Sequence, residues 1–279
     1  FEPFIISHFP VTRSSIPGTY PLSIIFQRSE SDTLPLISVI VPTYQEEKIL
    51  DRCLKVFTPE RKARFQLELI VSDGGSDEQT IDIFRRYADC IVQYTGTARQ
   101  GIAQGRNDGA VHARGSILMF LNGDTIIQDV DAFLEFVFLW GTGSTRYSDA
   151  PALACRIDVF PEERIWIDTI FYAIHNQYVR LLNAVGMGMC RGECQIMKRT
   201  AFDQVGGYRG HLMAGEDFEL YTRLAKLGRI RFIDALTVLE SPRRFRDQGY
   251  IRTILLWTLN SLYVMYLQRS YSKQWKDIR

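Results

Sequence analysis

Asn122-Gly123-Asp124 is the stretch whose residue types and spacing best suit chemistry. It follows the apolar run Ile117-Leu118-Met119-Phe120-Leu121 without a spacer. A carboxylate so placed stands at the carboxyl end of a buried strand, where open α/β sheets gather ligands. The glycine lets another backbone come close, and a carboxylate there can hold a metal and a phosphate together. Asn-Gly-Asp is also ordinary turn chemistry. Asp73-Gly74-Gly75 is a second such stretch. It reads as a tight loop with a free carboxylate able to accept hydrogen bonds from a base or a ribose, although a lone Asp-Gly is commonly just a turn. Arg106-Asn107-Asp108-Gly109-Ala110 is the third. It is helical by period, so Arg106 and Asn107 can point at the same sheet edge.

These residues need strands behind them. Continuous apolar runs predict strands over 36–42 and 67–73, the first ended by Pro42, which cannot donate to a ladder. Further strands are predicted over 90–94 and 116–122, with helices over 46–57, through Ala88, over 101–114 and over 130–140. Alternation at this spacing means an α/β fold with a mostly parallel, doubly wound sheet. After Gly141 the pattern changes to a strand over 152–160, an aromatic-rich helix over 164–183, a Met/Gly loop over 186–190 and a short strand over 193–198. Helices over 200–205 and 215–227 and a short strand over 229–233 follow. The expected organisation is an irregular arm over 1–35, one domain over 36–240 with halves 36–125 and 126–240, and a basic amphipathic extension over 241–279. Within that extension, 250–269 is too interrupted by Arg252, Asn260 and Ser261 to span a bilayer. It either packs on the body or lies in a membrane interface.

The totals bound the rest. An apolar content of 46% supports a packed core. A net charge of +1 points to no nucleic acid partner. Charge is uneven, however: eight Lys or Arg face two Asp from Arg243 to Arg279. Such an end suits a polyphosphate, an anionic membrane or solvent. Five loosely spaced cysteines complete no zinc pattern and read as reduced thiols. No apolar run approaches the roughly 18–20 residues of a spanning helix, and no signal-peptide order opens the chain. The expectation is a cytoplasmic chain, peripheral at the inner face of the plasma membrane.

Five stretches, in order, then resemble a known family: Val39-Ile-Val-Pro-Thr-Tyr-Gln-Glu-Glu47, Val71-Ser-Asp-Gly-Gly-Ser-Asp77, Gly105-Arg-Asn-Asp-Gly-Ala110, Phe120-Leu-Asn-Gly-Asp-Thr125 and Gly215-Glu-Asp-Phe-Glu-Leu220. They resemble the GT-A glycosyltransferases, specifically the large inverting family two, with its Rossmann-like sheet flanked by helices. The resemblance implies a nucleotide-binding loop at Pro42, Thr43, Tyr44 and Glu46, and base recognition by Asp73. It places Arg99 or Arg106 near the nucleotide. Asn122-Gly-Asp124 stands where the family has Asp-x-Asp, with Asp124 touching a divalent metal, Mn or Mg. Asp217 takes the place of the general base and Glu216 that of an acceptor-positioning group. Ser241-Pro-Arg-Arg-Phe-Arg246 resembles a segment after the catalytic domain in a bacterial subset, with Arg243 or Arg244 as a clamp on the diphosphate. One position departs: Asn122 brings no charge. His211 is a weak candidate for an extra metal ligand. Trp166, Phe171, Tyr172 and Tyr178 stack on an acceptor or simply form core.

The implied activity is inverting, hexosyltransferase-type transfer from a nucleotide-diphosphate donor, a UDP-sugar first among them, to an unidentified acceptor hydroxyl. Two other classes remain open. A sugar-phosphate nucleotidyltransferase carries a Gly-rich basic loop after the first strand, where this chain has the acidic Pro42-Thr-Tyr-Gln-Glu-Glu47. A non-catalytic nucleotide-sugar binder would explain Asn122 as a decayed metal site. The transferase reading requires Asp73, Asp124 and Asp217 to converge on one cleft.

Overall fold

Burial on both faces of three apolar strands sets the layout. The computed structural model describes residues 21–28, 34–44 and 47–272. Its strands are β1 (Leu22–Gln27), β2 (Ile37–Thr43), β3 (Leu67–Asp73), β4 (Cys90–Tyr94), β5 (Ile117–Leu121), β6 (Ile126–Ile127), β7 (Ala152–Val159), β8 (Cys194–Lys198) and β9 (Arg231–Glu240). Every residue of β2, β3 and β5 is buried. The helices are α1 (Glu47–Leu54), α2 (Pro59–Arg64), α3 (Glu78–Tyr87), α4 (Ile102–His112), α5 (Val130–Gly141), α6 (Trp166–Ala184), α7 (Arg199–Gln204), α8 (Glu216–Leu224), α9 (Arg243–Gln248) and α10 (Tyr250–Leu267).

The strands form one sheet in the order β1-β4-β3-β2-β5-β8-β7-β9-β6. β4, β3, β2 and β5 run parallel. β8 then pairs antiparallel with β5 and β7 antiparallel with β8. β9 runs parallel to β7, and β6 antiparallel to β9. The sheet is therefore mixed, and the mostly parallel expectation holds only for its first half. An apolar run reports burial, not direction; direction follows from which connections carry crossover helices.

Three further expectations change. Part of the supposed irregular arm is strand: β1 closes the sheet edge antiparallel to β4. Its half-buried, unevenly alternating pattern hid it. Pro42 lies inside β2, opposite Ser72 of β3. Pairing with β5 stops at Ile40 and Phe120, so the missing donor of Pro42 deprives no partner on that side. The last strand runs ten residues, because an irregularity around Asp234–Leu236 breaks its apolar run without ending it.

The two sheet faces carry separate cores. Val39, Val41, Leu69 and Val71 face one, with Phe84, Phe133 and Trp140 from the covering helices. Ile40, Ile70, Leu118 and Phe120 face the other, with Ala103 and Ala110 of α4. α4 approaches closely: a Cβ on Gly109 would meet Ile40 Cγ2 at 2.4 Å. That approach brings Arg106, one turn earlier, to the carboxyl edge of the sheet.

Candidate active site

Beyond the last β2–β5 pair, the strand ends and their loops line a cleft of about 630 Å³. Pro42, Thr43, Tyr44, Gly74, Arg99 and Arg106 line it from the first half of the sheet, with Asn122, Gly123 and Asp124 after β5. Arg191, Gly192 and Glu193 enter just before β8, Glu216 and Asp217 from the first turn of α8, Glu240 from the end of β9, and Arg243 and Arg244 from α9. His175 of α6 and Trp257 of α10 close one side. Glu46 lies outside the described residues.

Asp217 is aimed by the turn before it. Gly215 takes a left-handed backbone (φ +77°), which a side chain would strain. The carboxylate then caps its own helix: Oδ1 accepts from the Phe218 amide at 2.8 Å. Burial, then the neighbouring Glu216 charge, push its pKa up to about 7, against the Phe218 hydrogen bond and the Arg106 charge. Opposite, Gly192 leaves room. A Cβ there would sit 3.1 Å from Arg106 Nη2 and 3.5 Å from Asp217 Oδ2.

Asp124 is a partly exposed carboxylate whose Oδ2 accepts from Arg243 Nη2 at 3.1 Å. Burial raises its pKa, and the Arg243 charge opposes that rise. Arg243 and Arg244 are presented by α9, which Phe245 pins. The Phe245 ring lies 4.6 Å from Phe171, 5.4 Å from Trp257 and 5.7 Å from Tyr172. Burial lowers the pKa of Arg244, against the nearby carboxylates.

Several residues occupy other places than expected. Asp73 does not line the cleft, so the expected convergence of three carboxylates is seen for Asp124 and Asp217 only, with Asp73 one residue behind Gly74, and its carboxylate is not free. Oδ2 accepts from the amides of Gly75 (3.1 Å) and Ser76 (2.9 Å) and from Gln93 Nε2 (3.0 Å), while Ser76 Oγ donates to Oδ1 at 2.5 Å. It builds the loop that puts Gly74 at the cleft. Arg106 is fully buried, and its guanidinium is an internal tie. Nη1 donates to Glu216 Oε1 (2.8 Å), and Nη2 to Asn122 Oδ1 (3.1 Å) and the Gly192 carbonyl (2.8 Å). Glu216 is thus an ion-pair partner inside the protein, and the Asn122 oxygen is engaged by Arg106. Asn107 clasps the Tyr208 backbone from both sides (2.8 and 2.9 Å). Arg99 sits over the Tyr44 ring at 5.7 Å. His211 is exposed, with Nε2 3.0 Å from the Gln268 carbonyl, and is not among the residues lining the cleft. Of the four aromatics proposed to stack on an acceptor, Phe171 and Tyr172 are core and Trp166 and Tyr178 face outward. None lines the cleft, where His175 stands instead.

Sequence reasoning missed a buried charge cluster at the cleft floor. Arg191 Nη2 donates to Glu193 Oε1 at 2.7 Å and also to Glu240, and Tyr172 Oη donates to Glu240 Oε1 at 2.7 Å. Burial pushes Glu240 up to about 8 against the pull of Arg191. Glu193 is held low by Arg191 against the effect of burial. Arg191 Nη1 and Glu193 Oε2 have no partner among the described residues. His175 is pushed down to about 3, first by burial and then by Arg191, so it is neutral. No short motif marks this cluster, which forms only when β9 pairs with β7 and the loop before β8 crosses their ends.

Among the described residues, no group of three or more His, Cys, Asp or Glu is arranged to enclose a metal. One carboxylate at the mouth of a cleft instead suits a hard cation that shares its shell with substrate phosphates, so Asp124 fits such an ion.

Glycosyltransferase AglE of Haloferax volcanii is 34% identical over 97 residues, covering 34% of this chain and 32% of that protein. Validoxylamine A glucosyltransferase of Streptomyces hygroscopicus subsp. limoneus is 37% identical over 92 residues, covering 32% and 20%. The matches span about a third or less of these curated relatives. In fold, the chain is similar to mannosyltransferase PcManGT from Pyrobaculum calidifontis, solved with GDP-Man and Mn2+ (TM-score 0.57, 21% identity, 80% of this chain and 64% of that one). It is also similar to S. aureus TarS (TM-score 0.52, 17% identity, 85% and 44%). The model of the family described as glycosyl transferase family 2 matches residues 38–206, more than half the chain, and the chain therefore belongs to that family.

Proposed function

We propose that the chain transfers a sugar from a nucleoside diphosphate donor to an acceptor hydroxyl, inverting the anomeric centre, with Asp217 as base. The observation that carries this reading is that Asp124 and Asp217, contributed by different halves of the sheet, line one cleft together with the loops after β2 and β3. The donor sits across Pro42, Thr43, Tyr44 and Gly74, beside Arg99. Thr43 Oγ1 is buried without a partner among the described residues.

Asp217 takes the acceptor proton, and the acceptor oxygen forms its bond to the anomeric carbon. The bond to the diphosphate breaks on the opposite face, and the electron pair leaves with the nucleoside diphosphate. A base with a pKa near 7 is matched to work at neutral pH. Arg243 exchanges Asp124 for a phosphate oxygen, and with Arg244 it offsets the charge developing on the leaving group. Asp124 would hold a divalent ion, Mn2+ or Mg2+, which would supply further charge compensation for the leaving group. A UDP-sugar is the expected donor. GDP-Man and Mn2+ in the related mannosyltransferase structure support the donor class and the use of a metal. The same reading has 250–269 meet a membrane surface peripherally.

A thermal-shift screen of nucleoside diphosphates with and without Mn2+ tests the donor site. One diphosphate should raise Tm, and Mn2+ should enlarge the rise. A melting point indifferent to every nucleotide would overturn the reading.

A further inference from the structure

α6 and α10 lie side by side and point the same way. Phe171 meets Tyr250 at 5.2 Å, His175 meets Trp257 at 5.7 Å, and Met187, just past α6, shares a small groove with Met265. The contacts advance together along both helices. Inner sides are occupied: Phe171, Asn176 and Val179 of α6 are buried, as are Thr253, Asn260 and Val264 of α10.

Among the described residues, the outer sides are apolar and uncovered. On α6, Trp166, Ile170, Ile174 and Tyr178 recur at every fourth position, with Trp166 74% and Ile174 66% exposed. On α10, Ile251, Leu255, Leu262 and Tyr266 do the same at helical spacing, with Ile251 77% and Tyr266 75% exposed. Scattered exposed apolar residues are ordinary. Two adjacent helices with continuous apolar outer sides mark an interaction surface.

Charge identifies the occupant. Asp168 is the lone acid of α6 and is buried, and α10 has none. Among the described residues, the exposed charges on α10 and just past it are cations, Arg252 and Arg269, with Lys226 at the groove; the acids Glu162 and Asp247 lie before the two helices, and Asp234 is paired with Arg180 of α6. A second copy of this chain would bring the same cations to the α10 stripe, and α10 itself offers no acid to meet them. An anionic bilayer accepts both the apolar stripe and the basic rim. Among the described residues no helix is long and apolar enough to cross a membrane, so the contact is with the surface.

We propose that the α6–α10 face docks on the surface of an anionic lipid bilayer. Because His175, Trp257 and Ser261 of the same two helices line the cleft, docking brings that wall of the cleft next to the lipid interface. This deepens the peripheral contact proposed above by adding α6 and an orientation. Docking does not require sugar transfer, so the two proposals can fail separately.

The test is co-sedimentation of the full chain with vesicles of equal parts phosphatidylglycerol and phosphatidylcholine, and of phosphatidylcholine alone. The chain should sediment with the anionic vesicles. Ile174→Glu/Leu255→Glu should weaken that binding at least about tenfold, since each puts a charge where an apolar side chain enters the interface. Leu139→Glu, an exposed apolar position on α5, should leave it unchanged. If the double variant does not fold, quenching of wild-type tryptophan fluorescence by brominated lipid decides, with Trp166→Phe expected to remove much of it. Failure of the wild type to sediment, a double variant that binds as wild type, or quenching indifferent to Trp166→Phe would each overturn the proposal. So would a concentration-dependent dimer that binds no vesicles.

Discussion

Asp217 and Asp124 differ in what surrounds them, and that difference suits the separate tasks proposed for them. Asp217 is raised by burial and by Glu216, and among the described residues its carboxylate accepts one hydrogen bond, from the Phe218 amide. As a base it must be ionised, so activity should be low below its pKa and rise with pH. The profile of kcat/KM should show an ascending limb with its inflection near 7. Asp124 is instead paired with Arg243, and both side chains are more than a third exposed. Such a pair contributes about 0–1 kcal/mol to stability. Arg243→Ala should therefore leave Tm nearly unchanged while raising the donor KM, a split that steady-state kinetics and a melting curve read together. Arg106 is the contrasting cation. It is buried, with partners on Glu216, Asn122 and Gly192, and it holds the two halves of the site together.

At the scale of elements, α4 sets how close the site's scaffold can come. Gly109→Ala would gain helix propensity of about 1 kcal/mol on an exposed helix. Here the added methyl would strike Ile40 Cγ2, so the net effect should be destabilisation by about 1–3 kcal/mol, read as a lower denaturant midpoint at constant slope. An unchanged midpoint would mean that α4 shifts freely on β2. How much could be read in advance depended on the element. β2, β3 and β5 were legible because burial on both faces writes an unbroken apolar run. β1, a half-buried edge, was not, and β9 was read only as a short strand over 229–233 because Asp234 interrupts its apolar run. α2 left a readable signal that went unused: Thr58 caps it and Pro59 begins it. In the site, Asp124, Asp217 and the α9 arginines were legible because each belongs to a contiguous motif. Asp73 and Glu216 were located, but their partners depend on the fold. The Arg191–Glu193–Glu240 cluster depends on tertiary pairing throughout.

For the whole molecule, the seam between β5 and β8 is the organising feature. On one side stands the parallel half, on the other the mixed half, and the cleft straddles the two beneath α8, α9 and α10. On the proposed reading, the donor site and the acceptor base come from separate halves. Removing the base should then leave donor binding standing. The most direct measurement is on Asp217→Asn: titrate the best-binding nucleoside diphosphate with Mn2+, and follow release of that diphosphate from its sugar donor. Diphosphate affinity should stay close to wild type while release falls by about 10²–10⁴-fold. Release at the wild-type rate would contradict the assignment of Asp217 as base.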